Sequence, residues 1–152
     1  MLSHPRHAVA GFTLIELLIA LVIAAILASI AWPSYQKSVQ RGRRSDAMAA
    51  LAELSQAQER WRANNTQYQS AIADLPGARS LTAGGHYDIA MLADSTSRTG
   101  YVAQATVHSG SPQSDDSACQ MMRVTMADGQ ITYGSSNGGS TLNATPDPCW
   151  VR

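Results

Sequence analysis

The run FTLIELLIALVIAAILASIAW, from Phe12 to Trp32, decides how this chain is organised. It contains a single charged residue, Glu16, whereas the rest of the chain is polar and rich in Gly, Ser, Thr, Ala and Gln. An apolar run of about 20 residues is long enough to cross a bilayer as a helix. The sequence therefore predicts a short polar leader over residues 1–11 and a membrane-spanning helix over residues 12–33.

A carboxylate inside such a run requires an explanation. Glu16 lies four residues after Phe12, roughly 6 Å along a helix and so close to one membrane face. On insertion scales a carboxylate in a spanning segment costs up to about 3 kcal/mol. One interpretation is a tolerated charge near the membrane edge. The other is a pairing site, because cleavage after Gly11 would create an α-ammonium on Phe12 that Glu16 of a neighbouring copy could neutralise.

The residues from Gly11 to Tyr35, GFTLIELLIALVIAAILASIAWPSY, resemble the N-terminal signal of type IV pilins and prepilins. The late segment PDPCW, residues 146–150, resembles the PilE-like minor pilins. The resemblance implies that prepilin peptidase cleaves after Gly11 and methylates the new N-terminus of Phe12. It also implies that Glu16 serves assembly and that Pro33 marks a kink in a long helix.

Beyond the apolar run, a helical pattern continues through residues 34–64. Apolar residues recur at three- and four-residue spacing, namely at Val39, Ala47, Met48, Leu51, Leu54, Ala57 and Trp61. Pro33 ends or kinks the apolar helix locally. We expect one long helix from about Phe12 to Asn64, with an apolar first half and an amphipathic second half.

Four strand-like segments follow in the predicted globular β domain, residues 65–152. They are His86–Leu92, Gly100–His108, Cys119–Met126 and Gln130–Tyr133. Asp128-Gly129 between the last two is a strong hairpin signal. The sequence therefore predicts an α+β fold, in which a four-stranded antiparallel sheet, a meander of consecutive strands, packs on the amphipathic half of the helix. This arrangement matches the type IV pilin fold that the resemblance implies.

The only two cysteines, Cys119 and Cys149, lie late in the chain. Two cysteines in the exported part of a membrane-targeted protein predict one disulfide in an oxidising compartment. It would close a C-terminal loop of about 31 residues. The resemblance implies that the enclosed segment faces solvent and varies in sequence.

No pattern in the sequence indicates an enzyme, a catalytic residue, a cofactor or a metal. His86 and His108 stand alone, and Asp115-Asp116 offers too few oxygen ligands for calcium. Related type II secretion pseudopilins often carry a C-terminal calcium loop. Here residues 134–148 contain only Asp147 as a carboxylate, which favours the pilus branch.

Basic residues cluster just beyond the apolar run, at Lys37, Arg41, Arg43 and Arg44. One interpretation is a solvated collar that contacts lipid headgroups or acids of neighbouring subunits. The other is a surface that contacts DNA phosphates. The net charge of the chain is zero, and aspartates outnumber arginines after residue 62. A DNA receptor is therefore possible but not favoured.

These features predict a non-enzymatic minor pilin, a structural subunit of a type IV pilus. Its expected partners are other pilin subunits, prepilin peptidase, the inner membrane and the pilus assembly machinery. Before assembly it would span the bacterial inner membrane once with a periplasmic C-terminal domain, and afterwards it would lie in an extracellular pilus. The alternatives are a minor pilin acting as DNA-uptake receptor or adhesin, and a type II secretion pseudopilin.

Overall fold

A computed structural model describes residues 12–150, so the predicted leader and Gly11 lie outside the described residues. Helix α1 spans Leu14–Arg62 and is followed by strands β1 (Tyr87–Met91), β2 (Gly100–Val107), β3 (Met121–Ala127) and β4 (Gln130–Ser136). Two short 3-10 helices, Ile72–Asp74 and Pro112–Asp115, lie in the connections. The predicted α+β fold is confirmed. The chain divides into two compact units, residues 1–38 and 39–152, which are described separately below.

The described part of the first unit is the apolar start of α1. Its most apolar window has a mean hydropathy of 2.8 and no buried residue, which makes α1 long and apolar enough to cross a membrane. Pro33 lies inside the helix, which therefore does not end there. Twelve large apolar side chains are between 50% and 77% exposed: Phe12, Leu14, Ile15, Leu17, Leu18, Ile19, Leu21, Val22, Ile23, Ile26, Leu27 and Ile30.

The second unit contains the sheet, an antiparallel meander with strand order β1-β2-β3-β4. Asp128 and Gly129 both have positive φ, 49° and 81°, in the turn between β3 and β4. A two-residue turn of this kind matches the twist of the strands it joins. The hairpin predicted from Asp128-Gly129 is thus confirmed.

One face of α1 packs on the sheet to form the core of the second unit. Ala47, Leu51, Leu54 and Ala57 are buried at three- and four-residue spacing. They belong to one cluster with inward-facing residues of the strands, among them Tyr87, Ile89, Tyr101, Ala103, Met122 and Val124. As predicted, Met48 and Trp61 also pack against this core.

A buried polar residue of α1 holds the connection that follows the helix. Gln58 donates from Nε2 to the carbonyl oxygen of Gln69 at 2.6 Å and accepts from the amide of Gln69 at 2.9 Å. Gln58 is fully buried. Since a buried amide without partners costs free energy, this exchange fixes the chain after the helix against the core.

The C-terminal loop covers part of the open edge of β4. A disulfide joins Cys119 to Cys149, which confirms the predicted pair. The amide of Asn143 donates to the Ser135 oxygen at 2.7 Å, and the Trp150 indole donates to the Gly134 oxygen at 2.8 Å. These bonds satisfy carbonyls that would otherwise invite another strand.

Candidate functional site

The N-terminal residues singled out by the sequence lie at the start of α1. Phe12 is 77% exposed and precedes the helix, and Glu16 is exposed in its first turn. The amide of Glu16 donates to the hydroxyl of Thr13 at 3.3 Å. Thr13 is thus the N-cap of α1 and Glu16 its third residue, the spacing of a capping box. A carboxylate in a first helical turn is also stabilised by the helix dipole, a role that the sequence analysis did not consider.

We call Lys37, Arg41, Arg43 and Arg44 the basic collar. Not all of these four side chains are free to bind a ligand. Arg44 donates from Nε and Nη2 to both carboxylate oxygens of Asp116, at 2.6 and 2.7 Å, and from Nη1 to the Pro148 oxygen at 3.4 Å. The Asp116 side chain is 4% exposed. Arg44 is therefore committed to a buried ion pair and is unsuited to phosphate, whereas Arg41 remains exposed.

Asp116 also belongs to a buried hydrogen-bond network. Gln113 donates to the Asp116 carboxylate at 2.7 Å and to the Tyr87 hydroxyl at 3.0 Å. Tyr87 in turn donates to the Cys119 oxygen at 3.2 Å. Burial is the main cause that raises the pKa of Tyr87 from 10.0 to about 12. The phenol therefore stays protonated and keeps its donor role at neutral pH.

We call four arginines the arginine cluster: Arg60 and Arg62 in the last turn of α1, Arg98 in the connection that Arg62 contacts, and Arg79 just after the Gly77 turn beside Arg60. Arg62 is held in place, since it donates to the Arg98 oxygen at 3.2 Å and to the Asn65 oxygen at 2.5 Å. Its guanidinium carbon is 6.0 Å from the centre of the Tyr68 ring. Arg62 thereby joins the helix end to the β1–β2 connection, which carries Arg98.

The other members of the arginine cluster reach solvent. Arg60, Arg79 and Arg98 are exposed, and among residues 12–150 no ion pair engages their guanidinium groups. A Cβ placed on Gly77 would be 3.9 Å from Nη2 of Arg60, so Arg60 lies beside the loop that leads to Arg79. Acids occur nearby, but two of them already have partners: Glu59 accepts from Tyr68 and Asp74 from Gln69.

A groove of about 510 Å³ opens between α1 and the last two strands of the sheet. Its lining is uncharged and consists of Met48, Ala52, Ser55, Val124, Ile131, Tyr133 and Trp150. Tyr133 and Trp150 form a tilted pair with ring centres 4.7 Å apart. Because its lining contains no cation, this groove lacks the charge that dominates binding of a nucleic-acid backbone.

The two histidines of the second unit each have a polar partner. His108 Nδ1 lies 2.8 Å from Asp88, and His86 Nδ1 lies 3.0 Å from the Ser111 hydroxyl. Within the described range, residues 12–150, no group of three or more His, Cys, Asp or Glu side chains could hold a metal ion. Each histidine therefore has a local structural partner.

Arg60 and Arg62 are candidate binding residues that no sequence pattern indicated. Their position at the end of the amphipathic pattern could have identified them, because the predicted helix stops there and other segments can approach its end. The charge count began after residue 62 and therefore left out Arg60 and Arg62. A sum also does not show where the remaining charges lie.

Comparison with protein families gives two matches. The family model described as type IV minor pilin ComP, DNA uptake sequence receptor, matches residues 33–123. The model of the prokaryotic N-terminal methylation motif matches residues 6–32. The first match covers more than half of the 152 residues and includes the whole arginine cluster. The second includes Gly11, Phe12 and Glu16.

Proposed function

The chain belongs to the ComP family of type IV minor pilins and is a minor pilin of a type IV pilus, and from this premise we propose that it is a DNA receptor that binds the phosphate backbone through the arginine cluster. The family match carries the proposal, because the matched family is described as a DNA uptake sequence receptor. The geometry of the cluster supports it. Exposed arginines on neighbouring segments can contact successive phosphates.

Within the arginine cluster, Arg62 is held by other groups of the protein, whereas the other three arginines are exposed. Arg62 is fixed by two backbone carbonyls, so it would bind phosphate with little loss of side-chain freedom. Arg60, in the same last turn of α1, and Arg98, whose carbonyl oxygen Arg62 contacts, are both exposed. The proposal thus favours the DNA-receptor alternative that the sequence analysis considered possible but unfavoured.

The maturation and topology of the subunit are part of the same proposal. Prepilin peptidase would cleave between Gly11 and Phe12 and methylate Phe12, and Glu16 would pair with the N-terminus of a neighbouring subunit. The methylation motif supports this course. The C-terminal domain would face the periplasm before assembly and the cell exterior afterwards.

Fluorescence anisotropy with full-length protein in detergent and labelled duplex DNA tests the receptor role. The variant Arg60→Gln/Arg98→Gln removes two exposed cations, and Lys37→Gln/Arg41→Gln is the control with the same charge change. Each phosphate contact contributes about 0.9 to the slope of log binding constant against log salt concentration. The cluster variant should therefore flatten the slope by about 1.8, and the control should leave it unchanged.

Two outcomes would contradict the assignment of the surface. One is a cluster variant with the wild-type slope and affinity. The other is a loss confined to Lys37→Gln/Arg41→Gln, which would move the DNA contact to the basic collar. Absence of any binding by the wild-type protein would contradict the receptor role itself.

A further inference from the structure

We propose that Trp32 and Tyr35 form an interfacial anchor that sets the depth of the apolar helix in the membrane before assembly. The partner is the headgroup region of a phospholipid bilayer. The inference rests on the membrane anchorage of the minor pilin and does not depend on whether the arginine cluster binds DNA.

Trp32 and Tyr35 form an exposed aromatic pair on α1. Trp32 and Tyr35 are 63% and 64% exposed. They lie three positions apart on α1 and so share one side of the helix. Their ring centres are 6.5 Å apart with an interplanar angle of 42°. Tryptophan and tyrosine concentrate at membrane–water interfaces, because their rings are apolar and their N–H and O–H groups need polar partners.

The second observation is the distance from the pair to the start of the apolar run. Leu14, the first residue of α1, precedes Trp32 by eighteen residues, which corresponds to about 27 Å at 1.5 Å per residue. The hydrocarbon core of a bilayer has about the same thickness. When Trp32 lies at one boundary of the core, the start of α1 therefore lies at the other.

The third observation is the charge that follows the pair. Lys37 is exposed and is the first charged residue after Glu16. A lysine at this distance can extend its ammonium group to the lipid phosphates while its alkyl chain covers apolar surface. The order of apolar run, aromatic pair and lysine is that of a helix leaving a membrane.

Anchoring at Trp32 and Tyr35 also sets the depth of the other end of the helix in the membrane. With Trp32 at one boundary, the first turn of α1 with Glu16 lies just inside the opposite boundary, and Phe12, which precedes the helix, lies at the surface. Sliding by one turn moves every residue by about 5.4 Å. The aromatic pair would thus hold Phe12, before which the proposed cleavage occurs, in reach of a peptidase at the membrane face, and keep Glu16 close to water.

Fluorescence quenching in vesicles tests the position of the anchor. Full-length protein is reconstituted into phosphatidylcholine brominated at defined chain positions. The difference between wild type and Trp32→Leu isolates the signal of Trp32 from that of Trp61 and Trp150. We expect the strongest quenching from bromines nearest the ester groups. Strongest quenching from bromines near the chain ends, or no quenching, would overturn the proposal.

A second measurement tests whether Trp32 and Tyr35 set the depth of the apolar helix in the membrane. Cleavage at Gly11–Phe12 by purified prepilin peptidase is followed for Trp32→Leu/Tyr35→Leu and for the exchange variant Trp32→Tyr/Tyr35→Trp. The leucine pair should slow cleavage several-fold, and the exchange variant should retain the wild-type rate. Equal rates for all three would refute depth-setting. If wild type is never cleaved there, the proposed maturation fails, and the quenching profile still decides the position of the anchor.

Discussion

At the scale of a single residue, Glu16 has a position in the first turn of α1 that the structure shows and a role in assembly that we propose. As the third residue of α1 it lies where a negative charge is stabilised by the helix dipole, typically by about 0.3–1 kcal/mol. As an exposed carboxylate beside Phe12 it is also available to a neighbouring subunit. The two roles make different predictions, because only one of them requires another copy.

We predict that Glu16→Gln and Glu16→Leu reach normal membrane levels but are poorly recovered in sheared filaments. Removing the carboxylate lowers the cost of insertion, whereas in a filament it would leave the Phe12 ammonium unpaired in an apolar environment. Immunoblots of membrane and filament fractions measure both levels. Thr13→Val is the matched control, since it removes the N-cap and keeps the charge.

The outcome separates the two roles. Normal filament recovery of Glu16→Leu would contradict the pairing. An equal defect in Thr13→Val would show that the start of the helix matters and the charge pair does not.

Tyr87 gives a prediction for alkaline pH. Its pKa is raised, chiefly by burial, to about 12 in the folded protein from 10.0. The folded state therefore holds the phenolic proton more tightly than the unfolded state, and the stability linked to this proton is complete below pH 10. It is lost as the pH rises from about 10 to about 12. Thermal stability should accordingly fall in this range.

Tyr87→Phe provides the comparison for this prediction. The variant should be less stable than wild type near neutral pH, because Gln113 and the Cys119 oxygen each lose a partner. Above about pH 10 the difference in melting temperature should shrink, since phenylalanine has no proton to lose. Melting curves between about pH 8 and 11.5 measure it, and a constant difference would contradict the assignment.

At the scale of the elements, the Arg44–Asp116 pair joins α1 to the β2–β3 connection. The two residues are 72 positions apart in the chain, and the contact uses both carboxylate oxygens. Arg44 also reaches Pro148, next to Cys149 of the disulfide. One guanidinium thus positions the helix, the connection and the C-terminal loop together.

Breaking the pair should be costly. We predict that Arg44→Met lowers the free energy of unfolding by about 3–5 kcal/mol, because it leaves the buried Asp116 carboxylate without its partner. Asp116→Asn should cost less, because the Arg44 side chain that loses its partner is only partly buried. The double variant should lose less than the sum of the two. Urea unfolding of the four proteins gives the coupling energy. Strict additivity would show that the ion pair contributes no coupling.

At the scale of the whole molecule, the disulfide decides how firmly the C-terminal loop stays on the sheet. Cys119 and Cys149 are separated by 30 positions. Closing a loop of this size stabilises the folded state by about 3.5–4 kcal/mol in the chain-entropy model. The loop also supplies Asn143 and Trp150 to the edge of β4.

We predict that Cys119→Ser/Cys149→Ser lowers the melting temperature and speeds exchange of the Asn143 amide, which donates to the Ser135 oxygen. Hydrogen exchange with mass spectrometry measures the second effect, and peptides from β1 provide the internal control. Equal melting temperatures of the oxidised and the variant protein would contradict the stabilising role. A uniform increase in exchange across all strands would contradict a stabilising role of the disulfide that is local to the C-terminal loop.

The sequence by itself determined the features that depend on neighbours in the chain. The apolar length of residues 12–32, the three- and four-residue spacing of Leu51 and Leu54, and the Asp128-Gly129 turn are local patterns. The helix, the strand order and the hairpin were therefore predictable. The cysteine pair was also predictable, because the described chain offers no other partner for either thiol.

The tertiary structure alone decided which charges are free and which are bound. In the sequence, Arg44 is one cation of the basic collar. Only the fold brings Asp116 into contact with it. Arg62 and Arg98, 36 positions apart, meet only because the β1–β2 connection returns to the end of α1. Periodicity reports the face of an element on which a residue lies, but a contact between distant residues depends on how the elements pack. For that reason the sequence predicted the fold, and only the packed structure placed the arginine cluster.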